Sequence, residues 1–400
     1  MNSIKAQRIL IVTGEASGDL LASHLVKAMR AEDPALSISA MGGEKLREAG
    51  AEITVDISRH AVMGITEVIG HLGTLYGIFR KLTLTLKRDR PDLLILVDYP
   101  DFNLRLARVA KKHRIPVLYY VSPQIWAWRT SRIRQIAASV STMVVVFPFE
   151  LPLYREAGVD AHFVGHPLLD IVKVSRSREE NSKRLGLIPG RTVIGLLPGS
   201  RLSEVKRILP PMLEAARRLS REHKDLQFII PIAAGLHKME LEKLTGAAAV
   251  EVTLVENSIY DVIDSSYLVI VASGTASLET ALLAKPMVIV YRMSPVSYRI
   301  ARMLVKVPHI GMANIIAGKT VVPELIQEQA SGEGIAAEAA RLLTDTRYYG
   351  NVRAELELIK MKLGEPGASA RAARIALTML QRRPPEAAPA SGKNPLEEEG

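Results

Sequence analysis

The stretch Ile9-Leu10-Ile11-Val12-Thr13-Gly14-Glu15-Ala16-Ser17-Gly18-Asp19 decides the fold. Four apolar residues run into a small-residue turn, after which Leu21, Leu25 and Met29 recur at the four-residue spacing of a helix. A buried strand, a glycine turn and a helix in that order make one βα unit. The unit recurs along the chain. Apolar runs of strand length stand at 93–97, 117–121, 143–147 and 162–164, and again at 193–197, 228–231, 250–255, 268–272 and 287–291, with helical segments between them. Such alternation predicts parallel strands covered by helices on both faces. The fold class is therefore α/β, with two doubly wound, Rossmann-like halves facing each other across a cleft.

The first series fills residues 1–172 and the second 192–365. Between them, 173–191 is charged and irregular, with Ser175, Ser177 and Ser182 among its charges, and reads as a linker. Residues 333–380 carry Ala-rich and Leu-rich helical periodicity, and the last helix, 366–381, is free to cross back to either half. Residues 382–400 have few large apolar side chains and many Pro, Ala and Glu, the composition of a disordered tail.

Composition narrows the function. A chain of 400 residues that is 48% apolar and 24% charged can bury two or more cores. There is no cysteine, which excludes disulfides, cysteine-based zinc sites and a thiol nucleophile. The net charge of +10 draws the protein toward nucleic acid, phosphorylated substrates or an anionic membrane. Nucleic acid is disfavoured, because no zinc finger, RNP motif or basic helix with interleaved aromatics occurs and aromatics total 5%. The run at 9–12 is too short for a secretory segment, and no stretch approaches the ~18 apolar residues that span a bilayer, so a cytoplasmic protein is expected.

In doubly wound sheets ligands sit beyond the carboxyl ends of the strands. The first such loop, residues 14–19, lacks G-x-G-x-x-G, and Glu15 and Asp19 would repel a pyrophosphate. With Ser17 and Gly18 they suit sugar hydroxyls, although Ser17 or Asp19 also reads as a helix cap. Asp98 ends an apolar strand and has no such plain explanation. Partly desolvated at the cleft, it is the candidate general base. Asp101 reads better as an N-cap than as a catalytic group, and Trp126 and Trp128 as packing that locks their loop. His166 favours a structural role.

In the second half, Pro198-Gly199-Ser200-Arg201 and Ser273-Gly274-Thr275-Ala276 both end strands before helices. Gly199 permits close approach to phosphate, Ser200 donates a hydrogen bond and Arg201 offers a charged fork. The turn from Ser273 to Ala276, with Gly274 and Thr275 inside it, presents backbone amides to a diphosphate. Glu279, one helical turn further, reads either as a ligand for ribose hydroxyls or as a charge placed favourably near a helix N-terminus. No D-x-D ends a strand, and the nine histidines lack metal-site spacing. No metal and no cofactor are expected, with Arg201 and helix amides meeting the diphosphate charge.

Residues 62–79 place Val68, Ile69, Leu72, Leu75, Tyr76 and Phe79 on one helical face, followed by Arg80, Lys81, Lys87, Arg88 and Arg90. An apolar face beside a basic cluster suits a helix resting on anionic lipid. An ordinary core-facing helix is the competing reading. The four glycines favour the functional one, since they weaken a helix without structural gain.

Taken together, GEASGD at 14–19, AVMGITEV at 61–68, DYPDFN at 98–103, YYVSPQIWAWR at 119–129, FVGHP at 163–167, LLPGSR at 196–201 and SGTASLE at 273–279 resemble the lipid-A-disaccharide synthase family over residues 8–380. The resemblance implies a GT-B fold, with an acceptor-binding and membrane-facing first half and a second half that binds the nucleotide sugar. It implies an inverting transfer from UDP-2,3-diacylglucosamine to 2,3-diacylglucosamine 1-phosphate, giving the β-1,6-linked disaccharide 1-phosphate and UDP. It further implies peripheral association with the inner face of the inner membrane, acyl-chain reception by the 62–79 segment, and dimers that exchange C-terminal segments. Carried over by motif, Glu15, Ser17 and Asp19 line the sugar site, and Arg201, the 273–276 turn and Glu279 hold the nucleotide. Asn314 lies near the donor by a looser match. A UDP-sugar epimerase of the same architecture is the alternative, and a non-enzymatic lipid-surface adaptor a third class.

Overall fold

Apolar runs flanked by helices bury both faces of a strand, and in the computed structural model these runs become two parallel sheets. The structure describes residues 6–57, 72–128, 131–174, 176–233, 235–246, 248–256, 258–304 and 307–382. The first half holds β1 (Arg8–Thr13), β2 (Ser37–Gly42), β3 (Glu52–Asp56), β4 (Leu93–Val97), β5 (Val117–Tyr120), β6 (Thr142–Val145) and β7 (Asp160–Phe163). The second holds β8 (Thr192–Leu197), β9 (Leu226–Ile232), β10 (Val252–Glu256), β11 (Leu268–Ala272), β12 (Met287–Tyr291) and β13 (Glu324–Ile326).

The sheet orders are β3-β2-β1-β4-β5-β6-β7 and β10-β9-β8-β11-β12-β13, and the strand order reverses direction once in each. The reversal lies between β1 and β4, with Thr13 opposite Val97, and between β8 and β11, with Val271 opposite Leu197. Central strands β4 and β11 are buried at every residue. Strands β2, β3 and β13 are additional to those the apolar runs predict. Ser37 and Ser39 in β2, and Glu52 and Thr54 in β3, interrupt the apolar run, and β13 is three residues long.

Residues 173–191 are not irregular throughout. They contain the helix Arg178–Arg184, opened by a capping box in which Ser177 and Glu180 bond each other's backbone N–H. Arg184 pairs with Asp261 and bonds Ser258, which ties this helix to the second half. The last helix, Ala368–Gln381, returns to the first half of its own chain and packs on the helix Ala16–Glu32. Small residues on its buried face, Ala368, Ala372, Ala373 and Ala376, permit that close approach. The return is fastened by the Asp170 carboxylate, which accepts from the backbone N–H of Gly367 and Ser369, and by Arg371 Nε donating to Val164 O at 2.8 Å. Among the described residues no helix is long and apolar enough to cross a membrane.

Candidate active site

Each strand reversal opens a crevice, because connections leave the neighbouring strands on opposite sides. The loops after β1 and β4 flank the first crevice, and those after β8 and β11 flank the second. The motifs at 14–19, 98–103, 196–201 and 273–279 thus fall at the two topological switch points, whereas those at 119–129 and 163–167 lie at the ends of β5 and β7.

Asp98 follows β4 in left-handed backbone, at φ +46°, and Tyr99 continues it at +50°. Non-glycine residues adopt this conformation only where surrounding contacts hold it. Asn103 Nδ2 donates to Asp98 O at 2.7 Å, and Tyr119 Oη donates to the same oxygen at 2.6 Å. Burial pushes the Asp98 carboxyl up to about 6, the negative charge of Glu15 adds to the rise, and the Tyr99 backbone N–H opposes it. The glycines of the first loop serve close approach rather than unusual torsions. A Cβ on Gly14 would stand 2.3 Å from Tyr99 Cγ, and one on Gly18 would stand 2.3 Å from Thr13 Oγ1.

Asp19 is buried, with Oδ1 accepting from Gly43 N at 2.6 Å and Oδ2 from Lys45 N at 3.0 Å. Both oxygens are engaged in anchoring the loop after β2, which differs from the sugar contact expected of them. Ser17 is half-buried and Glu15 exposed at the crevice mouth. Asp101 pairs with Arg132. His166 is fully enclosed, its Nδ1 accepts from Leu168 N at 3.2 Å, and burial drives its pKa down to about 3, as befits a neutral structural imidazole. Trp126 packs edge-on against Phe149 and donates to Glu150 Oε1 at 3.1 Å. The Trp128 side chain lies outside the described residues.

In the second half Gly199 has φ +116° and lies against Glu204, whose carboxylate accepts from Ser200 N at 3.2 Å. Glu204, which no sequence motif points to, holds the 198–201 turn, and Tyr291 at the end of β12 feels both Glu204 and Arg201. Gly274 has φ +148° and open space where a Cβ would stand, so ligand atoms can approach its backbone closely. Ser273 Oγ donates to Ile310 O at 3.2 Å. Thr275 and Ala276 begin the helix Thr275–Leu282. Glu279 is buried and accepts from Tyr260 Oη at 3.0 Å, and burial raises its pKa.

Asn314 is fully buried and its amide is fully used. Nδ2 donates to Val322 O and Glu324 Oε1, and Oδ1 accepts from Val321 N and Val322 N. Glu324 in turn accepts from the backbone of Ile310 and Gly311. Asn314 therefore organises the loop that Ser273 touches, and it reaches the crevice through Glu324 rather than with its own amide. One contact crosses between the halves at this point: Arg201 Nη2 lies 3.1 Å from Glu15 Oε2, with both side chains about half exposed. The expected phosphate ligand and the neighbour of the expected base therefore meet across the cleft.

Val68 and Ile69 lie outside the described residues. The helix Leu72–Arg88 is described, though not the Leu72 side chain. It buries Ile78, Leu82 and Leu86 in the first core, and Phe79 packs edge-on against Phe102. The competing core-facing reading thus holds for that stripe, which is displaced from the predicted one. Leu75 is half-buried and Tyr76 is 70% exposed.

Two parallel sheets of this order, meeting loop to loop across one cleft, define a GT-B architecture. Solved structures with this fold include UDP-GlcNAc 2-epimerase from Neisseria meningitidis bound to UDP-GlcNAc, with TM-score 0.62, 12% identity, and coverage of 94% of this chain and 100% of that one. A glycosyltransferase from Rickettsia africae matches with TM-score 0.54, 11% identity, and coverage of 95% and 100%. These likenesses establish the fold alone. The family model for lipid-A-disaccharide synthetase matches residues 9–377. Lipid-A-disaccharide synthase of Geobacter sulfurreducens is 48% identical over 95% of this chain and 99% of its own, and that of Nitrosococcus oceani is 45% identical over 94% and 97%. The chain belongs to the lipid-A-disaccharide synthase family, and it is a glycosyltransferase.

Proposed function

We propose that this chain transfers 2,3-diacylglucosamine from its UDP carrier to the 6-hydroxyl of 2,3-diacylglucosamine 1-phosphate, with inversion, in a single displacement. The acceptor oxygen attacks the anomeric carbon while its proton passes to Asp98. The bond from that carbon to the β-phosphate oxygen breaks, and its electron pair leaves on UDP. Arg201, Ser200 and the backbone amides from Gly274 to Ala276 take up the developing charge, which is work a bound metal ion would otherwise do. Glu279 reaches the ribose, and Glu15 and Ser17 the sugar hydroxyls.

The observation that carries this reading is Asp98, a half-buried carboxylate at the switch point with a pKa raised to about 6, beside Glu15, which pairs with Arg201 across the cleft. A group of that basicity is mostly ionised at pH 7 and still able to accept a proton. The experiment is release of UDP from a UDP-diacylglucosamine donor with and without the acylated acceptor, in the presence of a chelator. Release that needs the acceptor and survives chelation supports the reading. Isomerisation of the donor without acceptor, as an epimerase would perform, overturns it, and so does full activity in Asp98→Asn.

Membrane association at the inner face of the inner membrane belongs to the same proposal. It is supported by exposed Tyr76 with exposed Arg80 one turn on and exposed Lys87, Arg88 and Arg90 at the far end of the helix, and by a groove between β3 and this helix in which Val55, Gly77 and Ile78 lie among Thr54, Asp56, Thr74 and Lys81. Replacing Leu75 and Tyr76 with Ser should weaken co-flotation with anionic vesicles without lowering the melting temperature. A dimer that exchanges C-terminal helices would reuse the seat on the helix Ala16–Glu32, and the mass in solution tests it.

A further inference from the structure

A turn that is to hold a diphosphate must itself be held, and the turn from Ser273 to Ala276 is fastened from outside its own strand and helix. Ser273 N donates to Val290 O on β12 at 3.0 Å, and Ser273 Oγ donates to Ile310 O at 3.2 Å. Ile310 is gripped from its other side as well. Glu324 Oε2 accepts from Ile310 N at 2.8 Å, while Oε1 accepts from Gly311 N at 3.1 Å and from Asn314 Nδ2 at 2.7 Å. His309 Nδ1 stands 3.9 Å from the same carboxylate, beyond hydrogen-bonding reach. Every link from Glu324 to the turn is therefore a hydrogen bond or a stretch of backbone within one residue: Glu324 to Ile310, Ile310 to Ser273.

Glu324 begins the edge strand β13, and its side chain is 8% exposed. A carboxylate withdrawn from water is costly unless N–H donors surround it, and here three do. Helix capping accounts for only part of the arrangement. Gly311 is the N-cap of the helix Met312–Ala317 and has no side chain to serve as one, so the acceptor comes from a strand 13 residues away. That origin ties the 310–311 loop to the sheet edge, which a short capping side chain on the helix itself would not do. Gly311 also lies close to its neighbours: a Cβ there would stand 2.3 Å from Ile289 Cδ1 and 3.1 Å from Glu324 Oε1. Ile289 is fully buried in β12, so the loop has no room to retreat toward the sheet. Gly274, on the ligand side of the turn, has open space where a Cβ would stand.

We infer that Glu324 is a positioning residue for the donor, which holds Ile310 so that Ser273 sets the 273–276 turn where its amides meet the diphosphate. The inference rests on the reading of that turn as the diphosphate seat. Glu324→Gln keeps the size of the side chain but offers one oxygen where two now accept. At least one of the three N–H groups then faces an amide donor, and the loop must shift.

The probe is UDP itself, titrated calorimetrically into the full chain, with donor and acceptor KM and the melting temperature recorded for each variant. Glu324→Gln should weaken UDP binding about 10-fold, the lower end for a charged hydrogen bond, and raise the donor KM alike, with the acceptor KM within about twofold of the parent. Ser273→Ala should weaken UDP binding to a similar extent. Adding Glu324→Gln to it should cost less than about twofold more, because the link is already cut. Gly311→Ala displaces the same loop with the carboxylate intact, and supplies the test if Glu324→Gln fails to fold. A purely structural Glu324 would lower the melting temperature and leave the UDP affinity of the folded chain unchanged. That result overturns the inference, and so do losses that multiply in the double variant. Gly274→Val, which fills the open space before the turn, tests the underlying reading. Unchanged UDP affinity in Gly274→Val removes the turn as the diphosphate seat, whereas lost binding there with unchanged affinity in Glu324→Gln and Gly311→Ala refutes the positioning role alone.

Discussion

Replacing Gly14 with Ala tests whether the base is placed by contact between the two loops of the first crevice. The backbone there is not left-handed, so the substitution acts through space alone. The new Cβ would lie 2.3, 2.5 and 2.6 Å from three ring carbons of Tyr99. Carbon atoms settle at about 3.5–4.0 Å, so the ring must retreat by more than about 1 Å. Its retreat is obstructed, since the ring stacks on Phe102 at 5.5 Å and Phe102 packs edge-on against Phe79. Tyr99 and Asp98 are consecutive left-handed residues, so part of the displacement passes to the Asp98 carboxylate. Overpacking of this kind costs about 1–3 kcal/mol of stability, and ångström-scale misplacement of a catalytic group costs about 10²-fold in rate. The assay is kcat for UDP release at saturating donor and acceptor, alongside thermal unfolding. Tyr99→Ala in the Gly14→Ala background should recover part of kcat, because it restores the missing space. Wild-type kcat and melting in Gly14→Ala, or a loss that Tyr99→Ala leaves untouched, would refute the reasoning.

Further outcomes follow from the same geometry. Burial and Glu15 raise the Asp98 pKa to about 6, so kcat should fall as pH drops below about 6. Glu15→Gln removes only the smaller cause, and should move this acid limb to lower pH without returning it to 3.8. Arg201→Ala should raise the donor KM by about 10- to 150-fold, the equivalent of about 1.5–3 kcal/mol for a charged hydrogen bond, and Arg201→Lys should recover part of that loss. Burial holds Glu150 at about 7 against 4.5 in the unfolded chain, so the folded state binds the extra proton between those values. That contribution is complete below pH 4.5 and disappears as pH rises through 7, an effect of about 3 kcal/mol. Denaturant titrations across that window should show a shallower decline in Glu150→Gln, and an unchanged slope would count against a buried, proton-binding Glu150.

Much of the architecture is legible because apolar strand runs and helix periodicity are local properties of the chain. The two Rossmann-like halves, the loops at strand ends and Asp98 itself can be located that way. Edge strand β3 and its neighbour β2 escape because polar residues at 37, 39, 52 and 54 break the apolar run. The helix Arg178–Arg184 escapes because charges conceal a capping box that two residues supply, Ser177 and Glu180.

What the residues alone determined was which loops carry chemistry, since a carboxylate, an arginine or a glycine turn after a buried strand has few structural uses. Only the tertiary structure decided how those groups are employed. It engaged Asp19 with the backbone of Gly43 and Lys45, and Asn314 with Val321, Val322 and Glu324, because buried polar groups must find partners that lie far away in sequence. It also brought Arg201 to Glu15 across the cleft and set Asn103 and Tyr119 on the backbone carbonyl of Asp98. Hydrogen bonds and desolvation depend on distances that no spacing along the chain encodes, and these set the basicity and position of the proposed base.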